Sequence, residues 1–280
     1  MSSSLHGAHR MLLLVGSLLL AGCATPGPMG LPPEGRYAQT TDSATSGCLR
    51  NPACYTTRPG EEAIIPWLFR AVDTARTAVT VMRLLETAEM ARVEQVLANC
   101  AKEANSKVND EDEVLKGQSP TAEQCREVVR QEKGKDVTRA MDLGTRKHAV
   151  ALACVQRELG ELYPENFSVQ LRYKHDPSVG QWRQLDPVVV AEWLRNGLES
   201  LLLGTLVPDV VIHASGNSQK VQRVYDFKFP CVPVRKGQSP GWRDYPAGHP
   251  HHPKNQGRMY KEALGGEKDP TLVTPQLGVQ

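Results

Sequence analysis

The chain has 280 residues, with 33 Lys and Arg against 31 Asp and Glu, a formal charge of +2 and 23% charged residues. That length and composition suit one or two globular domains, and so even a charge balance excludes nucleic-acid binding driven by net charge alone. Beyond the N-terminal segment, no apolar run approaches the ~20 residues that a membrane-spanning helix needs.

The N-terminus places His6, His9 and Arg10 before an apolar run from Met11 to Leu20, followed by Leu20-Ala21-Gly22-Cys23. A run that short after a basic start reads as a signal peptide, not a membrane span. The Leu-Ala-Gly-Cys ending resembles a bacterial lipobox, which implies that residues 1–22 are removed and that Cys23 is lipidated. Ala24 follows where an inner-membrane retention signal would place Asp, so the expected location is the envelope, at the outer membrane, with a lipid anchor as the only membrane contact. Residues 23–60 are rich in Pro, Gly, Ser and Thr and are expected to form a disordered tether.

The rest of the chain separates into a helical region, 61–135, and a C-terminal domain, 136–280. Leu68, Val72, Ala75, Val79, Met82 and Leu85 recur at steps of three or four, which predicts a long amphipathic helix over 64–106. A polar loop from Asn109 to Gly117 follows, then Ser119-Pro120 as a helix start (N-cap, then Pro at N1) leading to Cys125. A helix is expected from about Val137 to Leu162, a strand from Phe167 to Tyr173, and a helix from Val188 to Asn196 opened by Asp186-Pro187. A short strand, Thr271 to Thr274, closes the chain. The fold class that follows is α/β or α+β, with helices preceding a small mixed sheet.

The chemistry is concentrated between Val207 and Tyr260. Val210 to Ile212 and Val221 to Phe229 read as strands, joined by the turn-rich Ala214–Gln219. Asp209 and Asp226 are equidistant from a midpoint between Asn217 and Ser218, so an antiparallel pair sets them opposite each other. Directly opposed residues have Cβ atoms roughly 4.5–5.5 Å apart. Lys228, two residues after Asp226, shares its face. Two carboxylates and an ammonium then converge, and a divalent cation relieves the repulsion between the acids. Mg²⁺ or Mn²⁺ on Asp209 and Asp226, with Lys228 facing the developing charge, is equipment for phosphodiester hydrolysis. Gln256 and Tyr260, four apart on a predicted helix, point the same way, where they can meet a nucleic-acid backbone or an attacking water. His249-Pro250-His251-His252, with prolines nearby, reads as a solvent-exposed loop and not a metal site.

In that order, Pro208-Asp209, Asp226-x-Lys228 and Gln256-x-x-x-Tyr260 resemble the restriction-endonuclease-like fold, the PD-(D/E)xK nucleases, and its RecB-like branch. That branch carries an upstream Gly-x-x-x-His, matched by Gly144 and His148, which implies His148 as a further metal ligand. The wider string, from Gly204 through Tyr225–Cys231, Trp242, Tyr245, His249-Pro250 and Asn255-Gln256-Gly257, resembles nuclease toxin domains of bacterial polymorphic toxins. The resemblance spans roughly residues 95 to 280. It implies Asp209, Asp226, Lys228, Gln256 and Tyr260 as catalytic residues.

Six cysteines remain after Cys23: Cys48, Cys54, Cys100, Cys125, Cys154 and Cys231. An even number in an exported chain points to disulfides, and no Cys-x-x-Cys spacing argues for zinc. Closeness along the chain favours Cys48–Cys54 and Cys100–Cys125, leaving Cys154–Cys231, among fifteen pairings that six cysteines allow. From Val221 to Glu262, eight Lys/Arg stand against three acids, a local basic patch suited to phosphate. A lipobox, tether and nuclease-like domain together resemble the lipoprotein toxins that myxobacteria exchange between kin. That implies a nucleic-acid substrate, DNA before RNA, action in a recipient's cytoplasm, and a cognate immunity protein. The alternatives are a catalytically silent nuclease-like lipoprotein with a binding or structural role, and a periplasmic scavenging nuclease.

Overall fold

The computed structural model describes residues 82–132, 134–234, 238 and 240–280. The signal peptide, Cys23, the tether with Cys48 and Cys54, the Leu68–Val79 part of the expected helix, and Arg235 and Lys236 lie outside the described residues.

Helix α1 is Thr87–Glu111, so the helix expected from residue 64 to 106 is not continuous through Met82 and Leu85. Glu89 ends it on the N-terminal side by accepting from the Glu86 backbone N–H at 2.8 Å, while Arg83 clamps the same carboxylate at 2.7 and 2.9 Å. Leu85, just before it, is held as if in a strand. Its N–H donates to Gln222 Oε1 at 3.0 Å and its carbonyl accepts from Gln222 Nε2 at 2.7 Å.

The next helix, α2, is Ala122–Arg126, and its cap is Thr121, not Ser119. Thr121 and Gln124 satisfy each other's backbone N–H groups, at 3.2 and 2.9 Å, as a capping box. An unforeseen hairpin follows, β1 (Val128–Glu132) with β2 (Lys135–Thr138). Val137 therefore belongs to a strand, and α3 runs Arg139–Leu162 with Thr138 as its cap.

Strand β3 is Phe167–Val169 only. Gln170, at φ 51°, turns the chain out of the strand, and Tyr173–Asp176 becomes β4, paired with β5 (Gln181–Gln184) in a separate two-stranded sheet. One expected strand is thus two. Helix α4, Pro187–Arg195, starts where Asp186 accepts from the Val188 N–H at 2.7 Å, as the Asp-Pro signal implied.

The main sheet is small and mixed, ordered β3-β6-β7-β8-β9. Here β6 is Val210–Ala214, β7 is Asn217–Phe227, β8 is Thr271–Thr274 and β9 is Gly278–Val279. β7 and β8 are parallel, joined through helix α5, Gln256–Leu264, and the other neighbours are antiparallel. Alternation along the strands sends Val210, Ile212, Tyr225 and Phe227 to a core shared with Val93, Leu97 and Ala101 of α1 and Ala151, Val155 and Leu159 of α3. The opposite face carries Leu206 and Val224 against Met259 and Tyr260 of α5. The result is a sheet between two helical layers, and α1 shares the core of the C-terminal elements.

Among the described residues the disulfides are Cys100–Cys154 and Cys125–Cys231, not Cys100–Cys125 and Cys154–Cys231. Cys100 and Cys154 face each other because α1 and α3 lie side by side in the core, with Cα atoms 5.5 Å apart. Packing between elements overrides the short loop between Cys100 and Cys125. Replacing Cys100 and Cys154 together by Ser is expected to lower unfolding stability by about 2–4 kcal/mol. Urea denaturation without reductant measures this, and non-reducing peptide mapping checks the connectivity.

Candidate active site

The register of β6 and β7 brings the site together. Val210 pairs with Tyr225 and Val211 with Val224, which carries Asp209 opposite Asp226. The turn is not centred where the sequence suggested. Ala214 pairs with Asn217 around a tight Ser215-Gly216 turn, and irregularities at His213 and Ala214 take up the difference before the acids are reached. Gly216, at φ 66°, supplies the left-handed residue that this turn requires.

Both acids are fully buried. Asp209 Oδ2 accepts from the Phe227 N–H at 2.8 Å, while Asp209 Oδ1 is buried with no hydrogen-bond partner. Asp226 Oδ1 accepts from Lys228 Nζ at 2.5 Å, and its Oδ2 lies 3.3 Å from Gln256 Nε2 and 3.4 Å from the Tyr260 hydroxyl. Burial pushes the Asp226 carboxyl up to about 7. Lys228 opposes that rise and Asp209 adds to it.

Lys228 Nζ also donates to Gln256 Oε1 at 2.7 Å. Gln256 therefore bridges both members of the Asp-x-Lys pair, its carbonyl on the ammonium and its amide on the carboxylate. Gln256 Nε2 donates to the Tyr260 hydroxyl at 2.8 Å, and that hydroxyl donates to the Val207 carbonyl at 3.0 Å. The four-residue spacing does place amide and phenol on one face of α5, as expected. Both side chains are fully buried, Gln256 against the acid and the lysine and Tyr260 against Gln256 and Asp226.

His148 enters from α3, on the other side of the sheet. Its Nδ1 faces the Gly144 carbonyl at 2.8 Å, one helical turn back, and its Nε2 faces the Phe227 carbonyl at 3.0 Å and Asp209 Oδ2 at 3.4 Å. Phe229 closes over the imidazole edge to face at 5.0 Å. Burial works against a charged ring, but Asp209, the Gly144 carbonyl and Asp226 together raise its pKa above the ordinary value. With oxygen acceptors at both nitrogens, the doubly protonated ring is satisfied. An Nδ1–H on a carbonyl is also how metal-binding histidines are oriented, once Nε2 has lost its proton.

The donor set suits a hard divalent cation. A buried carboxylate oxygen without a partner, beside a second buried carboxylate, is an oxygen site of the kind Mg²⁺ and Mn²⁺ take, with water and phosphate oxygens completing the shell. As the side chains stand, no group of three His, Cys, Asp or Glu among the described residues is set to hold a metal ion. Asp209 and Asp226 are the two carboxylates that could hold such an ion, and His148 stands beside them on Asp209.

Other features differ from expectation. The His249–His252 loop is not simply solvent-exposed. His249 is buried and stacked on Tyr245 at 4.2 Å, and burial, with His251 nearby, lowers its pKa to about 4. Among the described residues, four cations of the basic patch besides Lys228 are in ion pairs: Arg223 with Glu94, Lys254 and Arg258 with Glu262, and Lys261 with Asp269. Two further residues stand beside the acid–lysine centre without a role assigned to either from the sequence. Gln170 donates its N–H to the Asp209 carbonyl at 3.0 Å, and Trp242 lies against Lys228 and Gly257.

No protein-family model matches the chain, and no curated protein or solved structure matches it.

Titrating Mg²⁺ or Mn²⁺ into the protein is expected to raise its melting temperature, by about 2.7 kcal/mol of added stability at a hundred times the dissociation constant. An Asp209→Asn, Asp226→Asn double variant is expected to lose the shift, which differential scanning calorimetry reads directly.

Proposed function

We propose that this chain is a metal-dependent nuclease that hydrolyses phosphodiester bonds, in DNA before RNA. It is a restriction-endonuclease-like toxin carried on an exported lipoprotein and restrained by a cognate immunity protein. The observation that carries the reading is the opposed, fully buried pair Asp209 and Asp226, with Lys228 on the same face and Gln256 bonded to both Asp226 and Lys228. A structural Asp–Lys pair belongs at the surface, where solvent screens it. Burying two opposed carboxylates is costly even with Lys228 on one and His148 on the other, and a bound divalent cation offsets that cost.

A divalent cation held by Asp209 and Asp226 supplies Lewis-acid stabilisation of the phosphate and lowers the pKa of a bound water. The chain's own groups do the rest. Asp209 is fixed by the Phe227 N–H, so its second oxygen is held ready at one position. Lys228 brings its ammonium beside Asp226, where it can orient the water or face the charge that develops as one P–O bond forms and the other breaks. Gln256 and Tyr260 fix Asp226 and Lys228 against each other and exclude water from behind them. His148 holds a proton against Asp209.

The two disulfides support an exported protein that matures in an oxidising compartment. Among the described residues no helix is long and apolar enough to cross a membrane.

Expression in a bacterial cytoplasm without the signal peptide is the direct test. The parent is expected to arrest growth and degrade nucleic acid. Asp226→Ala and Lys228→Ala are expected to be harmless, with cleavage of plasmid DNA in vitro at least a hundredfold slower. A soluble parent that behaves like its variants would transfer the weight to a silent binding lipoprotein, and cleavage of total RNA instead of plasmid would reassign the substrate.

A further inference from the structure

Lys228 has a third neighbour besides Asp226 and Gln256. Its Nζ lies over the indole of Trp242, 5.5 Å from the ring centroid. Trp242 comes from the loop between β7 and α5, is half-buried, and meets the Tyr260 ring edge to face at 5.9 Å and 89°. Its placement depends on Gly257. A Cβ built on Gly257 would lie 2.5 Å from indole Cδ2 and Cε2 and 2.7 Å from Nε1, inside the ring's own contact surface. Gly257 sits in the first turn of α5 without a left-handed φ, so the backbone does not ask for glycine there. Glycine in a helix is about 1 kcal/mol worse than alanine. What this glycine provides is room for the indole to lie against the helix beside Gln256.

We propose that Trp242 is a positioning residue that acts through Lys228, with Gly257 as the residue that admits it. The inference rests on the nuclease reading of the site. A lysine is a point charge on a flexible stem, and the carboxylate and amide bonds fix it from two sides only. The negative face of the indole attracts the ammonium from a third side and covers it from bulk water. A tryptophan that served only as packing would need the shape of the ring and not its electron-rich face. The function assigned here needs the face.

The experiment is steady-state cleavage of a fluorescent DNA duplex with Mg²⁺ by the mature chain and its variants, each checked for an unchanged melting temperature. Trp242→Leu is expected to lower kcat about tenfold, the scale of a desolvated cation–π contact, with KM within about twofold. Trp242→Phe is expected to recover most of that loss. Gly257→Ala is expected to match Trp242→Leu, and the double variant to be no worse than either single one. Stepwise fluorination of Trp242 thins the ring's negative face at nearly constant shape, and kcat is expected to fall with each fluorine. That series decides the matter even if Trp242→Leu fails to fold. A flat fluorination series, or a Phe variant no better than the Leu variant, overturns the inference while leaving an active parent, and so the nuclease reading, intact. A parent without metal-dependent cleavage overturns both.

Discussion

The structure turns on two buried carboxylates facing each other where β6 and β7 pair. Asp209 and Asp226 are both fully buried, and the register that sets them opposite is the same one that sends Val210 and Tyr225 into the core. A one-residue slip would turn the apolar set outward, so the core locks the acids in place. Every polar group nearby follows from that constraint. The Phe227 N–H, Lys228, Gln256, Tyr260 and His148 all lie within about a hydrogen bond of one acid or the other. Burying so many ionisable groups together is costly even when they are paired, and that cost is a reason to read the centre as functional.

The two helical layers serve this centre from opposite sides. α3 brings His148 through the core layer, where it reaches the end of β7 at the Phe227 carbonyl. α5 brings Gln256 and Tyr260 down on the other face, and Tyr260 also ties the segment before β6 by its bond to the Val207 carbonyl. Cys100–Cys154 joins the two helices of the core layer, and Cys125–Cys231 anchors the chain three residues beyond Lys228. Lys228 follows a strand that is paired with β6 as far as Tyr225 and with β8 as far as Phe227.

How much of this could be read from residues alone varies with the range of the interaction. Strands β6, β7 and β8, the helix opened by Asp186-Pro187 and the Gln256–Tyr260 face are local patterns, and all are present. The break at Gln170, the start of α1 at Thr87 and the β1–β2 hairpin were not legible. Gln170 leaves β3 against ordinary residue preference, held by a bond to the carbonyl of Asp209, just before β6. Leu85 stays out of α1 because a side chain 137 residues away pairs with its backbone.

The sequence by itself determined which residues could act together in the site, because spacing of two on a strand, four on a helix and mirror positions in a hairpin are properties of the local chain. It thereby brought Asp209, Asp226 and Lys228 to one spot and put Gln256 beside Tyr260. Only the tertiary structure decided what those groups touch: that Gln256 and Tyr260 are buried supports of the acid and the lysine, that His148 lies on Asp209 and a backbone carbonyl, that Trp242 covers Lys228, and which cysteines pair. The reason is physical. Periodicity sets the direction of a side chain relative to its own element. Burial, partners and pairing depend on how whole elements pack, and that packing sums many weak contacts between residues far apart in the chain.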